Sequence, residues 1–265
     1  MRRSSLFWGI VIVLVGVLLL LQQLGLLVFN FWAIFWPLIL ILVGIWFLLG
    51  PAVFRRDFRE EAVSIPLEGA TEADIRIRHG AGSLRIGALA NGSGLLSGTC
   101  VGGVDVAVHR HGERVKARLR TAHDVWFGFP GTLGGRGLAW DLKLSRSVTL
   151  TLDLESGASE STLDLTDLKV SELEVQTGAS STEITLPAQA GYTRVAVKSG
   201  AAAVSLRLPE GVAGRIYIQS GLAGISVDTS RFPQVSGGYE TPGYGTAANK
   251  ADIRIETGVG SIDIR

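Results

Sequence analysis

The sequence is short of several things at once. Its 265 residues include one cysteine, Cys100, and one methionine. A single thiol excludes a disulfide framework and any multi-cysteine metal site. Between Arg3 and Arg55 lie 51 residues without one Asp, Glu, Lys or Arg. A gap of that length excludes a purely soluble chain. The patterned apolar runs that follow exclude a disordered or collagen-like one. The net charge is +1, and no Lys/Arg run lies outside the flanks of the gap, so composition argues against nucleic acid as a partner. Catalytic signatures are missing too. There is no Gly-x-Ser-x-Gly elbow, and the glycine-rich stretch Gly131 to Gly137 has no following Lys-Ser/Thr pair to make a phosphate loop.

The uncharged segment holds two apolar runs, roughly residues 6–28 and 33–49. One helix of that whole length would reach ~75 Å, against ~30 Å of hydrocarbon, so two spans joined by a tight turn are expected. Length, a second apolar run and the lack of a small-residue cleavage site argue against a signal peptide. Trp8, Trp32 and Trp36 fall where aromatic side chains anchor at headgroup depth, and Pro37 stands early in the second run. Arg2 and Arg3 precede the first run, Arg55, Arg56 and Arg59 follow the second, and the turn is uncharged. The positive-inside rule then puts both ends, and the large domain, in the cytoplasm of a multi-pass cell-membrane protein.

From Thr71 onward, Ile, Val and Leu alternate with polar residues between glycine-rich turns, which is the period of strands. A repeat then emerges. Leu152 to Ala158 (LDLESGA) recurs from Leu173 (LEVQTGA), Val195 (VAVKSGA) and Ile216 (IYIQSGL), with the glycines 21, 22 and 21 residues apart. A fifth copy begins at Ile253, its glycine 37 residues later, and an early copy at Ile75 lacks the hydroxyl residue. In each copy two apolar residues face one side of a strand, and Ser/Thr-Gly suits a sharp corner with an unusual backbone angle. A second apolar pair follows, such as Leu163/Leu165 or Ile184/Leu186. A fixed step of this size marks a stacked array whose coils share one core. The expected fold is a two-helix transmembrane hairpin plus an all-β domain. That domain is a β-solenoid with about 21-residue coils and a hairpin insertion; a sandwich of hairpins is the competing reading. The boundaries follow: two spans over 1–54, a linker over 55–70, and the solenoid over 71–265 with insertions near 88–146 and 232–250. Within the first insertion, Val104 to His109 and Val115 to Thr121 flank His111-Gly112-Glu113 as a hairpin.

The opening pattern, Leu6-Phe7-Trp8-Gly9-Ile10 through Trp36-Pro37-Leu38-Ile39, resembles the two-span membrane region of LiaI/LiaF-like bacterial proteins. The stretch from Leu152 to Pro187, with its paired Gly-Ala corners, is similar to the toast-rack, adhesin-like β domain found attached to such regions. The resemblance implies a membrane-anchored regulator of a cell-envelope stress response that restrains a sensor kinase. It brings no catalytic motif and no cofactor.

Candidate residues are few. His109 and His111 share a strand face and could begin a metal site with His79 or His123, or simply be solvated; the spacing assigns no metal. Cys100 reads more readily as a buried apolar group than as a nucleophile. The acids Asp153, Glu155, Asp164, Asp167, Glu172 and Glu174 are scattered along strands, where they would face solvent. The aromatic insertion with Trp126, Phe127, Phe129 and Trp140 is the candidate partner contact; capping the solenoid or dipping into the membrane are the alternatives. The expectation is thus a non-enzymatic scaffold or regulator with a membrane-protein partner, self-associating through exposed edges. An adhesin or wall-binding module and a polysaccharide-acting enzyme are the alternatives.

Overall fold

The structure is a computed structural model that describes residues 36–41, 60–90, 94–121 and 138–265. The chain divides into a unit of residues 1–56 and a unit of residues 57–265. In the first unit, residues 36–41 are helical, with Trp36, Leu38, Leu40 and Ile41 exposed. The two expected spans otherwise lie outside the described residues. Among the described residues no helix is long and apolar enough to cross a membrane.

In the second unit the described residues form one mixed sheet of thirteen strands. Its middle is the repeat. Strands β7 (Thr149–Asp164), β8 (Lys169–Thr185) and β9 (Tyr192–Arg207) lie parallel and in register, each one coil after the last. Every coil is a long strand bent once. In β7, Leu150, Leu152 and Leu154 point inward before the bend, whereas Ser159, Ser161 and Leu163 do so after it. The parity switches because Ser156 pairs with Thr177 and Ala158 with Ala179, while Gly157 and Gly178 are passed over in the ladder. The register between coils is unchanged across the corner; the alternation within each strand shifts by one residue there, and because the strand bends at that point both arms face one core.

The corner glycines answer to a different constraint from the unusual backbone angle expected above. None of Gly80, Gly157, Gly178, Gly200, Gly221 and Gly258 has a positive φ. A Cβ on Gly178 would instead lie 2.8 Å from the Gly157 carbonyl oxygen, one on Gly200 2.9 Å from that of Gly178, and one on Gly258 2.6 Å from that of Gly200. Coil-to-coil approach, not torsion, excludes a side chain here.

The order of coils departs from the order of the chain at both ends. β2 (Glu72–Ala88) pairs with β7 along one edge. On its other edge, β5 (Arg114–Thr121) pairs with its first arm and β6 (Ala139–Leu144) with its second. β5 and β6 are therefore the two arms of one further coil; residues 122–137, between them in the chain, lie outside the described residues. At the far end β13 (Asn249–Ile264) inserts between β9 and β10 (Val212–Val227), parallel to both. The first and last copies in the sequence are thus both clamped between two neighbours.

The ends differ in their covering. At the first, β4 (Val104–His111) forms the expected hairpin with β5 and covers that arm. On the other arm β3 (Gly94–Val101) pairs antiparallel with β6, and β1 (Glu60–Pro66) with β3. The range expected to be a linker, 55–70, therefore contains a strand. The expected insertion of residues 88–146 is largely part of the sheet: alternating Val115, Ala117 and Leu119 enter the same inward columns as the repeat. At the second end, β12 (Gly238–Glu240) pairs with Arg215 and Ile216 of β10, and β11 (Gln234–Val235) with β12. Phe232, fully buried, plugs the core under that arm, and Tyr244 packs beneath the Arg215 guanidinium and near Lys250.

Candidate functional site

Two surfaces stand out, both products of the stacking. The first is a groove of about 1180 Å³ that follows the corner across the coils. Its floor is the corner column, in spatial order Thr121, His79, Ser156, Thr177, Ser199, Thr257 and Ser220. Thr121 takes the hydroxyl position of the split coil and accepts a hydrogen bond from the Gly80 amide at 3.4 Å. The hydroxyls satisfy one another. Ser199 donates to Thr257 at 2.9 Å, Ser159 to Ser156 at 2.9 Å and Ser180 to Thr177 at 2.8 Å. Alongside them Arg78, Glu155, Gln176, Lys198, Glu256 and Gln219 make a column of mixed charge.

The groove is lined by hydroxyl, amide and charged residues but is not arranged for acid–base work. Glu155 is held by Arg78 at 3.0 Å. The other groove carboxylate, Glu256, stands three strands away, or ~14 Å at the usual strand spacing. Paired-carboxylate glycoside hydrolysis works at roughly 5–9.5 Å. The acids seen in the sequence mostly join coils to coils: Asp153 meets Arg76 at 2.5 Å, Asp167 meets Arg146 at 3.0 Å and Glu172 meets Arg194 at 3.7 Å. The Arg146–Asp167 and Arg194–Glu172 pairs are exposed, the first between turns and the second across strands, and are of modest energetic value; the Asp153 side chain is more enclosed, at 19% exposure.

Histidine takes the hydroxyl position in one coil only. His79 is 2% exposed, and its ring lies edge-on to Trp140 with centroids 5.1 Å apart. Burial pushes its pKa down to about 4, with the Leu138 backbone acting weakly the other way. His109 and His111 are exposed on β4, away from His79's buried site, and His123 lies outside the described residues. Among the described residues no group of three or more His, Cys, Asp or Glu is placed to hold a metal ion. Cys100 is fully buried on β3, and burial, with Glu61 nearby, pushes its thiol up to about 12. A thiol so protonated is a poor nucleophile.

The aromatic set divides. Trp126, Phe127 and Phe129 lie outside the described residues. Trp140 does not offer itself to a partner: it is 1% exposed, because it occupies an inward column with Leu84, Ser161, Thr182, Val204 and Ile262. The anchors Arg2, Arg3, Trp8, Trp32, Arg55, Arg56 and Arg59 lie outside the described residues, and Trp36 is 58% exposed on its apolar helical turn.

The second surface escaped the sequence reading. Ile225 of β10 ends the same inward column as Trp140, yet it is 44% exposed, while Ile262 beside it is 1% exposed. Leu222 and Val259, 79% and 53% exposed, lie close by on the second arms of β10 and β13. Among the described residues no strand pairs with the outer edge of β10 beyond Ile216. No local sequence signal marks this site, since Ile225 and Val227 look like any other inward pair.

Comparison with known proteins fits this geometry. Residues 6–48 match the LiaI-LiaF-like transmembrane region, which defines the chain as membrane-associated. Residues 54–207, more than half of the chain, match the N-terminal domain of toast_rack, DUF2154, and the protein belongs to that family. Neither is an enzyme family. The crystal structure of a candidate cell adhesion protein from Clostridium sporogenes aligns with TM-score 0.71 at 19% identity. The alignment covers 78% of this chain and 98% of that one, and it bears on the fold alone. No curated protein matches the chain.

Proposed function

We propose that this protein is a non-enzymatic, membrane-anchored scaffold or regulator that acts in a cell-envelope stress response by contact with a membrane sensor kinase. The observation that carries the reading is the join of a LiaI-LiaF-like membrane region to a toast-rack domain. The stacked coils support it, since six in-register corners among the described residues make a periodic surface suited to protein contact rather than a cleft suited to turnover. The arginines flanking the apolar segment favour a topology with both ends and the β domain in the cytoplasm, where a kinase's inner domains lie. The test is photo-crosslinking in native membranes, from probes in the corner groove, combined with deletion under envelope stress. A kinase adduct and an altered stress response are expected. Absence of any membrane-protein adduct together with an unchanged response refutes the proposal.

A second reading, an adhesin or wall-binding module, draws on the cell-adhesion description of the Clostridium protein. It needs the opposite topology. Thiol labelling of Ser230→Cys in intact and permeabilised cells separates the two. Cys100 stays silent in this assay because it is buried and its thiol is held protonated. Labelling only after permeabilisation supports the cytoplasmic scaffold; labelling of intact cells supports the adhesin.

A further inference from the structure

The free edges of the sheet are not alike. β1, outermost on one arm at the first end, carries Glu60 and Glu61 and ends at Pro66. β4, outermost on the other arm there, carries Asp105, His109, Arg110 and His111. Charge and proline on an edge are what keep one sheet from joining another. The second arm of β10, Gly221 to Val227, has neither: its sequence is Gly-Leu-Ala-Gly-Ile-Ser-Val. Beneath it the core columns end open, with Ile225 at 44% exposure where the same column is 1–2% exposed in the two preceding coils.

We propose that this edge is the seat of a second copy of the chain, the two β10 strands pairing antiparallel about a two-fold axis at Gly224. Three features favour a second copy. An uncharged edge pairs without desolvating a charge only with another uncharged strand, and this strip is its own complement. A two-fold axis normal to the sheet keeps both inner faces on the same side. Ile225 of each copy then lies opposite Ala223 and diagonal to the other Ile225, closing both open columns at once. Gly224 suits the axis, since a side chain there would meet nothing within 4 Å in its own chain and its φ is not positive. One strand pair is a small interface, below the usual ~1,200 Å² of a stable complex. Confinement of anchored chains to one membrane supplies the effective concentration that such a contact needs. The proposal rests on the membrane anchoring of the proposed function, but not on the sensor kinase.

The experiment uses the full chain in its native membrane. Gly224→Cys places a thiol opposite its own copy, and Ser64→Cys, on the outward face of β1, is the control. Cys100 is buried and does not report. Under mild oxidation Gly224→Cys is expected to give a disulfide-linked dimer in at least roughly tenfold excess over the Ser64→Cys control. Adding Leu222→Lys, at a side chain too exposed to affect folding, is expected to abolish most of it. Equal crosslinking at the two positions, indifference to Leu222→Lys, or adducts to other proteins in place of the dimer each overturn the proposal. A dimer with no adduct to another membrane protein and an unchanged stress response leaves self-association standing and removes the regulator reading; a kinase adduct and an altered response without a dimer do the reverse.

Discussion

The two ends of the rack solve one problem to different degrees. A stack of coils leaves an open core and an unpaired edge wherever it stops. At the first end both arms are covered, one by β4 and the other by β3 and β1. At the second end Phe232, Tyr244 and β12 cover only the arm that precedes the corner. The other arm stops at Ile225, and among the described residues no strand covers its edge. The comparison shows that capping is applied arm by arm, because the corner divides each coil into two strands that need separate partners. An array with one bare arm is complete as a fold and incomplete as a surface.

The same inward column can be cut at two points to sharpen that contrast. Ile262→Ala, one coil inside the bare end, removes a fully buried side chain and is expected to cost about 3 kcal/mol. Ile225→Ala, its direct neighbour, is expected to cost less than about 1 kcal/mol, since much of that side chain is already in water. Denaturant midpoints of the two purified variants give the comparison. Equal losses would mean that Ile225 is covered in solution.

The first end carries a titrating histidine at the corner, since His79 stands where the terminal coil at the second end has Ser220. His79 is neutral in the fold, with a pKa near 4 against an ordinary 6.5. Below pH 6.5 the unfolded chain takes up a proton that the folded chain refuses. Its contribution to stability is therefore complete above about pH 6.5, falls as pH drops towards 4, and is flat below. The shift bounds this loss at about 3 kcal/mol. His79→Ser should flatten the slope of unfolding free energy between pH 6.5 and 4. An unchanged slope would assign it to other groups.

The smallest difference concerns glycine. Gly178→Ala, in the middle of the ladder, puts a Cβ 2.8 Å from the Gly157 carbonyl and is expected to cost about 2 kcal/mol. Gly224→Ala, at the bare end, meets nothing and should change the melting temperature little. A tolerated Gly178→Ala would refute coil-to-coil contact as the reason for the ladder.

Much of this architecture was legible in the residues. The alternation of Leu152, Leu154, Leu173, Val175, Val195 and Val197 declared inward columns, and the step of the glycines declared a stack. The turn at His111-Gly112-Glu113 declared a hairpin, and Gly112 has a φ of +60° in it. The split coil was harder. Val115, Ala117, Leu119 and Thr121 repeat the pattern of an arm and its hydroxyl, but no glycine follows, and the matching second arm begins only at Ala139. Trp140 was misread for the same reason: set apart from its first arm, it looked like part of an aromatic loop, whereas its register with Leu84 places it in the core.

What the sequence determined by itself is local: strand period, corner chemistry, coil length, the hairpin and an apolar segment fit for a membrane. These depend on neighbours within about one coil, and alternation and turn residues encode them directly. Only the tertiary structure decided the order of coils and where the stack ends. Copies with near-identical inward residues pair equally well in sequence or out of it, so local pattern cannot rank them. β13 inserts between β9 and β10, and β2 between the split coil and β7, so the first and last copies have partners on both edges. That choice leaves β10 outermost, and with it the bare edge at Gly224.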